Sequence, residues 1–149
     1  MDLGYNAKFS WIGRASTGAP ISTDFQAAAV LDMSGYDAIT LVALMDVTTA
    51  SSTGLGTLCF MHSDSTSTTD MVSCTGAAYI AQTTSMADKL LVLDVQKPSK
   101  RYVSAYLEQD AAAHTQILAI QYKNRIGSVT QDTSTYGVQG FAEAISPST

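Results

Sequence analysis

The chain has 149 residues, 46% of them hydrophobic, which is typical of one globular domain rather than a disordered segment. Charged residues make up only 14%, and the net charge is −5. An acidic, charge-poor chain lacks the basic stripe that a nucleic-acid-binding surface needs, so we expect no nucleic-acid partner. In place of charges the chain carries 18 Thr and 17 Ser, whose short side chains suit strand faces, turns and protein interfaces.

Signals for membrane insertion or export are not evident. No apolar run approaches the roughly 18 residues that a membrane-spanning helix requires. Met1–Tyr5 has neither the basic region nor the apolar region of a secretory signal, which predicts synthesis in a reducing cytoplasm and no membrane partner. Cys59 and Cys74 do not make a disulfide framework, and Cys59 is expected to be a small side chain in an apolar run.

Residues 1–22 differ in composition from the rest of the chain. Their aromatic side chains, Tyr5, Phe9 and Trp11, are scattered among small and polar residues. One interpretation is an N-terminal arm whose aromatic residues dock on a neighbouring protein. The other is a first strand that buries Phe9 and Trp11 in the chain's own core, and it is slightly favoured because large aromatics bury readily. Residues 23–149 are predicted to form a single β-sandwich domain.

The segment Phe25–Met33 is ambiguous between helix and strand. A capping-box pattern before three alanines would allow a helix. The strongly β-branched and apolar run Ile39–Val47 that follows favours a strand instead. We therefore predict a strand at Gln26–Asp32 that pairs with Ala38–Met45 in an antiparallel hairpin.

The second half of the chain contains further strand-like runs. Lys89–Val95 is nearly continuously apolar, which predicts a strand buried on both faces. Tyr102–Glu108 and His114–Lys123 are expected to form a hairpin, and Ser63–Thr69, without apolar side chains, is expected to be an exposed loop. Counting all runs gives about eight strands. The predicted fold is all-β: an antiparallel two-sheet sandwich of the jelly-roll type.

The basic residues are unevenly distributed. Six of the eight lie in the stretch 89–125, and Lys97, Lys100 and Arg101 fall in one turn. Such a cluster is more often a solvated turn, by about two to one, than a surface that faces an acidic partner. The candidate interface residues are Tyr5, Phe9, Trp11, Lys97, Lys100 and Arg101.

Residues capable of catalysis or metal binding are few and badly spaced. His62, Asp64 and Asp70 flank one loop, but this set does not match a zinc site or an EF-hand. No Gly-x-Ser-x-Gly elbow accompanies the serines, and Glu108 and Asp110 are neighbours near a turn rather than carboxylates that face a cleft. The sequence predicts no enzyme activity, no metal and no cofactor.

Several segments resemble, in their order, small virion proteins of tailed bacteriophages, and most of all capsid decoration (cement) proteins. The segments are Leu31–Asp37 leading into Ile39–Met45, Lys89–Val95 followed by Lys97-Pro98 and Arg101–Val103, and Ile120–Tyr122 before Lys123 and Arg125. The resemblance covers about two-thirds of the chain. It implies a trimeric jelly-roll domain on the outer face of an icosahedral head, made in the host cytoplasm, that braces joints between capsomers of the major capsid protein. It supplies no catalytic residues.

Two other functions fit the same composition. A carbohydrate-binding or host-receptor module, such as a tail-fibre tip, would use exposed aromatic platforms, and the candidates for these are Tyr5, Trp11, Tyr36, Tyr79 and Tyr136. A lattice-forming capsid subunit is disfavoured because the chain is short for closing a large shell.

Overall fold

The part of the chain that the structure describes consists almost entirely of strands. The computed structural model describes residues 7–14, 25–26, 29–47, 56–81, 89–109 and 113–124. Tyr5, Asp110 and Tyr136 lie outside these ranges. The described strands are β1 (Lys8–Arg14), β2 (Phe25–Gln26), β3 (Leu31–Asp32), β4 (Tyr36–Val47), β5 (Gly56–Ser63), β6 (Val72–Ala81), β7 (Lys89–Gln96), β8 (Tyr102–Gln109) and β9 (Ala113–Asn124).

The strands form two antiparallel sheets. One has the order β1-β9-β4-β7, and the other has the order β2-β8-β5-β6 with β3 also paired to β8. If β2 and β3 are taken as one interrupted strand beside β8, there are eight strands, as in a double-sheet jelly roll. Consecutive strands then lie in opposite sheets except β5 and β6, which pair with each other in one sheet. The predicted all-β, two-sheet sandwich is confirmed.

The core lies between the sheets and follows from the two-residue period of a strand. Alternate residues of each long strand point inward and are fully or almost fully buried. They are Ile39, Leu41 and Ala43 of β4, Leu58 and Phe60 of β5, Leu91 of β7, Val103, Ala105 and Leu107 of β8, and Ile117 and Ala119 of β9. Each large apolar side chain buried in this way contributes about 1.5–3 kcal/mol of transfer free energy, so this layer holds the sheets together.

The predicted hairpin between Tyr102–Glu108 and His114–Lys123 is wrong. Both runs are strands, but β8 pairs with β5, β2 and β3, whereas β9 pairs with β1 and β4. The two consecutive strands therefore lie in opposite sheets. The physical reason is that each strand carries apolar residues on its inner face, Val103, Ala105 and Leu107 in β8 and Ile117 and Ala119 in β9, and facing each other across the sandwich buries both sets.

The predicted pairing of Gln26–Asp32 with β4 is also wrong. Strands β2 and β3 pair with β8, through Phe25 opposite Leu107 and Leu31 opposite Val103. Between them the Ser104 hydroxyl donates to the backbone oxygen of Ala29 at 3.0 Å. The turn after β3 is present, closed by the Tyr36 N–H donating to Met33 O at 2.9 Å, with Gly35 at φ 90°.

The Ser/Thr-rich loop after β5 is organised by its own hydroxyls. The backbone N–H groups of Ser65, Ser67 and Thr69 donate to the Oγ atoms of Ser63, Ser65 and Ser67, at 3.0, 3.1 and 3.3 Å. This ladder ends in a 3-10 helix, Thr68–Asp70. The tip is exposed at Asp64, Thr66 and Thr69, whereas Ser63 at its base is buried.

Candidate interaction surface

The outer face of the four-stranded sheet carries a continuous set of apolar side chains. One row of directly opposed residues crosses all four strands of this sheet. In order from β1 to β9, β4 and β7, it consists of Trp11, Leu118, Val42 and Val92. In the next row Leu44 of β4 lies opposite Leu90 of β7. We call this set the apolar patch: Trp11, Val42, Leu44, Leu90, Val92 and Leu118.

The apolar patch is exposed to solvent over much of its area. Leu90 is 59% exposed, Val92 49%, Trp11 43% and Leu44 38%, while Val42 and Leu118 are half-buried. The four most exposed side chains together present on the order of 400 Å² of apolar surface, which is about the size of the largest patch on a typical monomer, and such a patch is often functional. Isolated exposed side chains need no such explanation, but neighbours in register across four strands do.

The prediction that Lys89–Val95 is buried on both faces is wrong. Leu91 is buried, but Leu90 and Val92 on the other face are among the most exposed large apolar residues described. Strand β7 is the last strand of its sheet, and nothing described covers its outer side. A continuous apolar run indicates two apolar faces, but it does not say that both are covered by the same chain.

The remainder of the same outer face is polar and internally bonded. The Asp94 carboxylate accepts hydrogen bonds from the Tyr122 hydroxyl at 2.5 Å, the Thr40 hydroxyl at 2.7 Å and the Gln96 amide at 2.7 Å. Gln96 Nε2 also donates to the Tyr122 hydroxyl, and Lys123 Nζ donates to Gln96 Oε1. We call these five residues the polar network.

The polar network changes the pKa values of its acids. Partial burial by itself would raise the pKa of Asp94. The hydrogen bonds from Tyr122, Thr40 and Gln96, together with the charge of Lys123, outweigh this effect and hold the Asp94 pKa below its usual value. Burial, followed by the neighbouring Asp94 carboxylate, raises the pKa of Tyr122. The network therefore stays intact and charged at neutral pH.

The predicted basic cluster lies at one end of the sandwich and is largely neutralised. Arg101 binds both carboxylate oxygens of Asp32, with Nε to Oδ1 at 3.0 Å and Nη2 to Oδ2 at 2.8 Å. These bonds hold the Asp32 pKa below its usual value. Lys100 forms an ion pair with Asp64. Lys97 is exposed, at φ 50°, and has no ion-pair partner among the described residues.

A cleft of about 380 Å³ opens beside this cluster, between the turn Met33–Tyr36 and the loop Pro98–Arg101. Its walls are mostly polar, with Tyr36 as the aromatic side chain in the lining. Next to it, Ser99 Oγ lies 3.2 Å from Nδ1 of His62. The cleft is open to solvent. Each of the two segments that line it connects a strand of one sheet to a strand of the other.

Two of the predicted arm residues, Phe9 and Trp11, lie in one strand, and the expectation that this strand buries both of them in the chain's own core is wrong. Tyr5 lies outside the described ranges, and Lys8–Arg14 forms strand β1 against β9. Phe9 is half-buried and Trp11 exposed on the outer face, while Ile12 at a β-bulge takes the buried position. Trp11 was among the predicted interface residues, but the other members of the apolar patch were not: Val42, Leu44, Leu90, Val92 and Leu118. The alternation within β4, β7 and β9 is the signal that could have found them.

Other chemical groups are scattered. Within the described ranges, no three His, Cys, Asp or Glu side chains are grouped to hold a metal ion. Cys59 and Cys74 are free thiols, and burial followed by the charge of Glu108 raises the pKa of Cys59. No described segment forms a helix with the length and hydropathy needed to cross a bilayer.

No family model and no curated protein sequence matches the chain. Among solved structures, the crystal structure of the PBSX exported protein XepA has a similar fold, with a TM-score of 0.53 at 20% sequence identity over 96% of this chain. The chain spans 46% of the length of that protein's chain, which is less than half. At this identity the likeness establishes the fold alone.

Proposed function

We propose that the chain is a structural virion protein that binds the outside of an icosahedral phage head and stabilises the expanded capsid by bridging capsomers of the major capsid protein. The observation that carries the proposal is the apolar patch, an exposed sheet face of the kind that packs against another protein surface. The chain is similar in fold to the PBSX exported protein XepA, a phage protein, which agrees with a phage setting.

The physical mechanism is a binding equilibrium. A protein that binds the expanded shell and not its precursor stabilises the expanded state by RT ln(1 + [L]/Kd) at each site. With an apolar area of only about 400 Å² per chain, a single contact is weak compared with a standard interface of about 800 Å² per partner. A homotrimer would compensate, because contacts made by linked copies bind together with high effective concentration.

The experiment uses heads of the source phage in expanded and unexpanded form, prepared without the protein. We expect purified protein to co-sediment with expanded heads and to saturate a fixed number of sites. Trp11→Lys should reduce occupancy more than tenfold, because it places a charge in the apolar patch. Val72→Lys is the matched control, since Val72 is 58% exposed but lies in β6 of the other sheet. No binding to either form of head would overturn the proposal, as would equal loss in both variants.

A second candidate function is favoured by the cleft between Met33–Tyr36 and Pro98–Arg101. Loops of a β-sandwich that enclose polar groups and one aromatic side chain are a common setting for carbohydrate recognition. This function predicts binding on a glycan array by the isolated protein, and loss of that binding in Tyr36→Ala. Binding to capsid lattices without any glycan signal would exclude it.

A further inference from the structure

Among the described strands β7 pairs only with β4, so its other edge, called the free edge, presents backbone groups that β4 does not use. In an antiparallel ladder, opposed residues alternate between pairs that exchange hydrogen bonds and pairs that do not. The Lys97 N–H donates to Asp37 O at 2.7 Å, and these two residues continue the register of β7 with β4. The alternation therefore directs the N–H and C=O groups of Leu91, Leu93 and Val95 toward β4. Those of the intervening residues point away from it: Leu90, Val92, Asp94 and Gln96.

This edge lacks the protection that the other described edges have. Strand β1 has a bulge at Ile12, the ladder of β6 with β5 is interrupted, and β2 and β3 are two residues long. The ladder of β7 with β4 runs through eight pairs without a bulge, and the strand contains no proline. Strand β6 passes close to β7 but is not hydrogen-bonded to it. A long, regular edge is a template for another strand, and the residues that face this one are apolar at Leu90 and Val92 and polar at Asp94 and Gln96.

The size of the exposed surface indicates what kind of occupant fits. Leu90 and Val92, whose backbones face the free edge, expose roughly 200 Å² between them, far below the ~800 Å² per partner of a stable globular interface. A docked globular face would therefore be weakly held here. An extended segment gains the unused backbone hydrogen bonds as well, with apolar side chains at alternate positions that continue the outer face.

Charge indicates the composition of a segment that adds to β7 in the antiparallel direction. At the end of β7 the Asp94 carboxylate is engaged by the polar network, while Lys97 is exposed and has no ion-pair partner among the described residues. A segment that runs antiparallel to β7 starts beside Lys97. An acidic residue at its amino end would lie near that ammonium group.

We propose that the free edge of β7 binds an extended segment of a partner protein, with an acidic residue at its amino end and apolar residues at alternate positions after it, as an added antiparallel strand. The proposed site consists of β7 and Lys97. This proposal does not depend on whether the partner belongs to a virus shell.

The first test is hydrogen exchange of the β7 amides, measured by NMR on the full chain. The free protein should protect Leu91, Leu93 and Val95 but not Leu90, Val92 and Asp94. Equal protection of both sets would show an edge already closed and overturn the proposal. Protection that appears only as the protein concentration rises would identify a second copy as the occupant, and would overturn it also.

The second test adds an eight-residue peptide with glutamate first and valine at alternate positions. We expect the amides of Leu90, Val92, Asp94 and Gln96 to shift and become protected. The same peptide N-methylated at its valines should not bind, because those N–H groups face β7. A peptide with lysine in place of the glutamate should bind several-fold more weakly at low salt. Unchanged binding of the N-methylated peptide would contradict the proposal.

Variants locate the site. Val92→Pro removes an N–H that β4 does not use, and Val92→Lys keeps the N–H but replaces the apolar side chain with a charged one. Each should weaken peptide binding about tenfold or more, which corresponds to about 1.4 kcal/mol. Val72→Lys, at a similarly exposed valine of β6, should bind as the unchanged protein does. Loss of binding in Val72→Lys equal to that in Val92→Lys would overturn the assignment to β7.

Discussion

The outer face of the four-stranded sheet has a polar half and an apolar half, and they differ in whether their side chains have partners within the described chain. In the polar network, Asp94, Tyr122, Thr40, Gln96 and Lys123 bond to one another, so this half is complete within one chain. In the apolar patch, Trp11, Leu44, Leu90 and Val92 face solvent. Polar groups can satisfy one another in the plane of a sheet, whereas apolar groups gain only when a second surface excludes water from them. The apolar half is therefore the part of this face that would gain more from contact with a second surface.

The largest expected effect separates the two faces of one strand. Leu41→Ala on the inner face of β4 should lower the free energy of unfolding by about 3 kcal/mol, because it leaves a cavity between the sheets. Leu44→Ala, three residues away on the outer face, should cost less than about 1 kcal/mol because the side chain is already partly hydrated. Urea unfolding of both variants measures the difference. Equal losses would show that the apolar patch is covered within the free chain.

A smaller effect is expected in the polar network. Tyr122→Phe removes the hydroxyl that donates to Asp94 and should lower the free energy of unfolding by about 1 kcal/mol. Tyr102→Phe is the control, since its ring packs with Arg101 and none of the hydrogen bonds in the polar network involves it. Head binding and peptide binding should be unchanged in both. A loss of head binding in Tyr122→Phe would extend the contact surface into the polar half.

The smallest effect is a dependence of stability on acid pH. Both Asp32 and Asp94 have a folded-state pKa below the ordinary value of 3.8. Their contribution is therefore complete above the unfolded pKa, near pH 4, and is lost as the pH falls through the folded pKa. Because both carboxylates are exposed, we expect a loss well under about 1 kcal/mol. Thermal unfolding between pH 6 and pH 2 should show a shallower decline for Asp32→Asn/Asp94→Asn, and identical profiles would contradict this.

Much of the fold could be predicted because strand formation is local. The runs around Leu41, Leu93, Ala105 and Ala119 were recognisable from their alternation and β-branched composition, and all became strands. The candidate site was harder to predict. The basic cluster was visible in the sequence, but its neutralisation by Asp32 and Asp64 joins residues 69 and 36 positions apart. Contacts across such separations are made by the tertiary fold and leave no local pattern.

Pairing was the point at which local reasoning failed. Adjacent strands were expected to form hairpins, yet β8 and β9 lie in opposite sheets, and β2 and β3 pair with β8 rather than β4. A hairpin minimises loop length, but the jelly roll buries more apolar surface by placing consecutive strands on opposite sides of the core. This extra burial adds no loop length, because only residues 110–112 separate β8 from β9.

The sequence alone determined which residues share a face of each strand, because the two-residue period of the backbone assigns side chains to sides without reference to any partner. Only the tertiary structure decided which faces are covered. Leu91 and Val92 are consecutive residues of similar hydropathy, yet one is buried and the other 49% exposed, because β7 lies at the edge of its sheet with the core on one side only. Burial depends on what lies opposite a residue, and that is settled by the packing of distant strands.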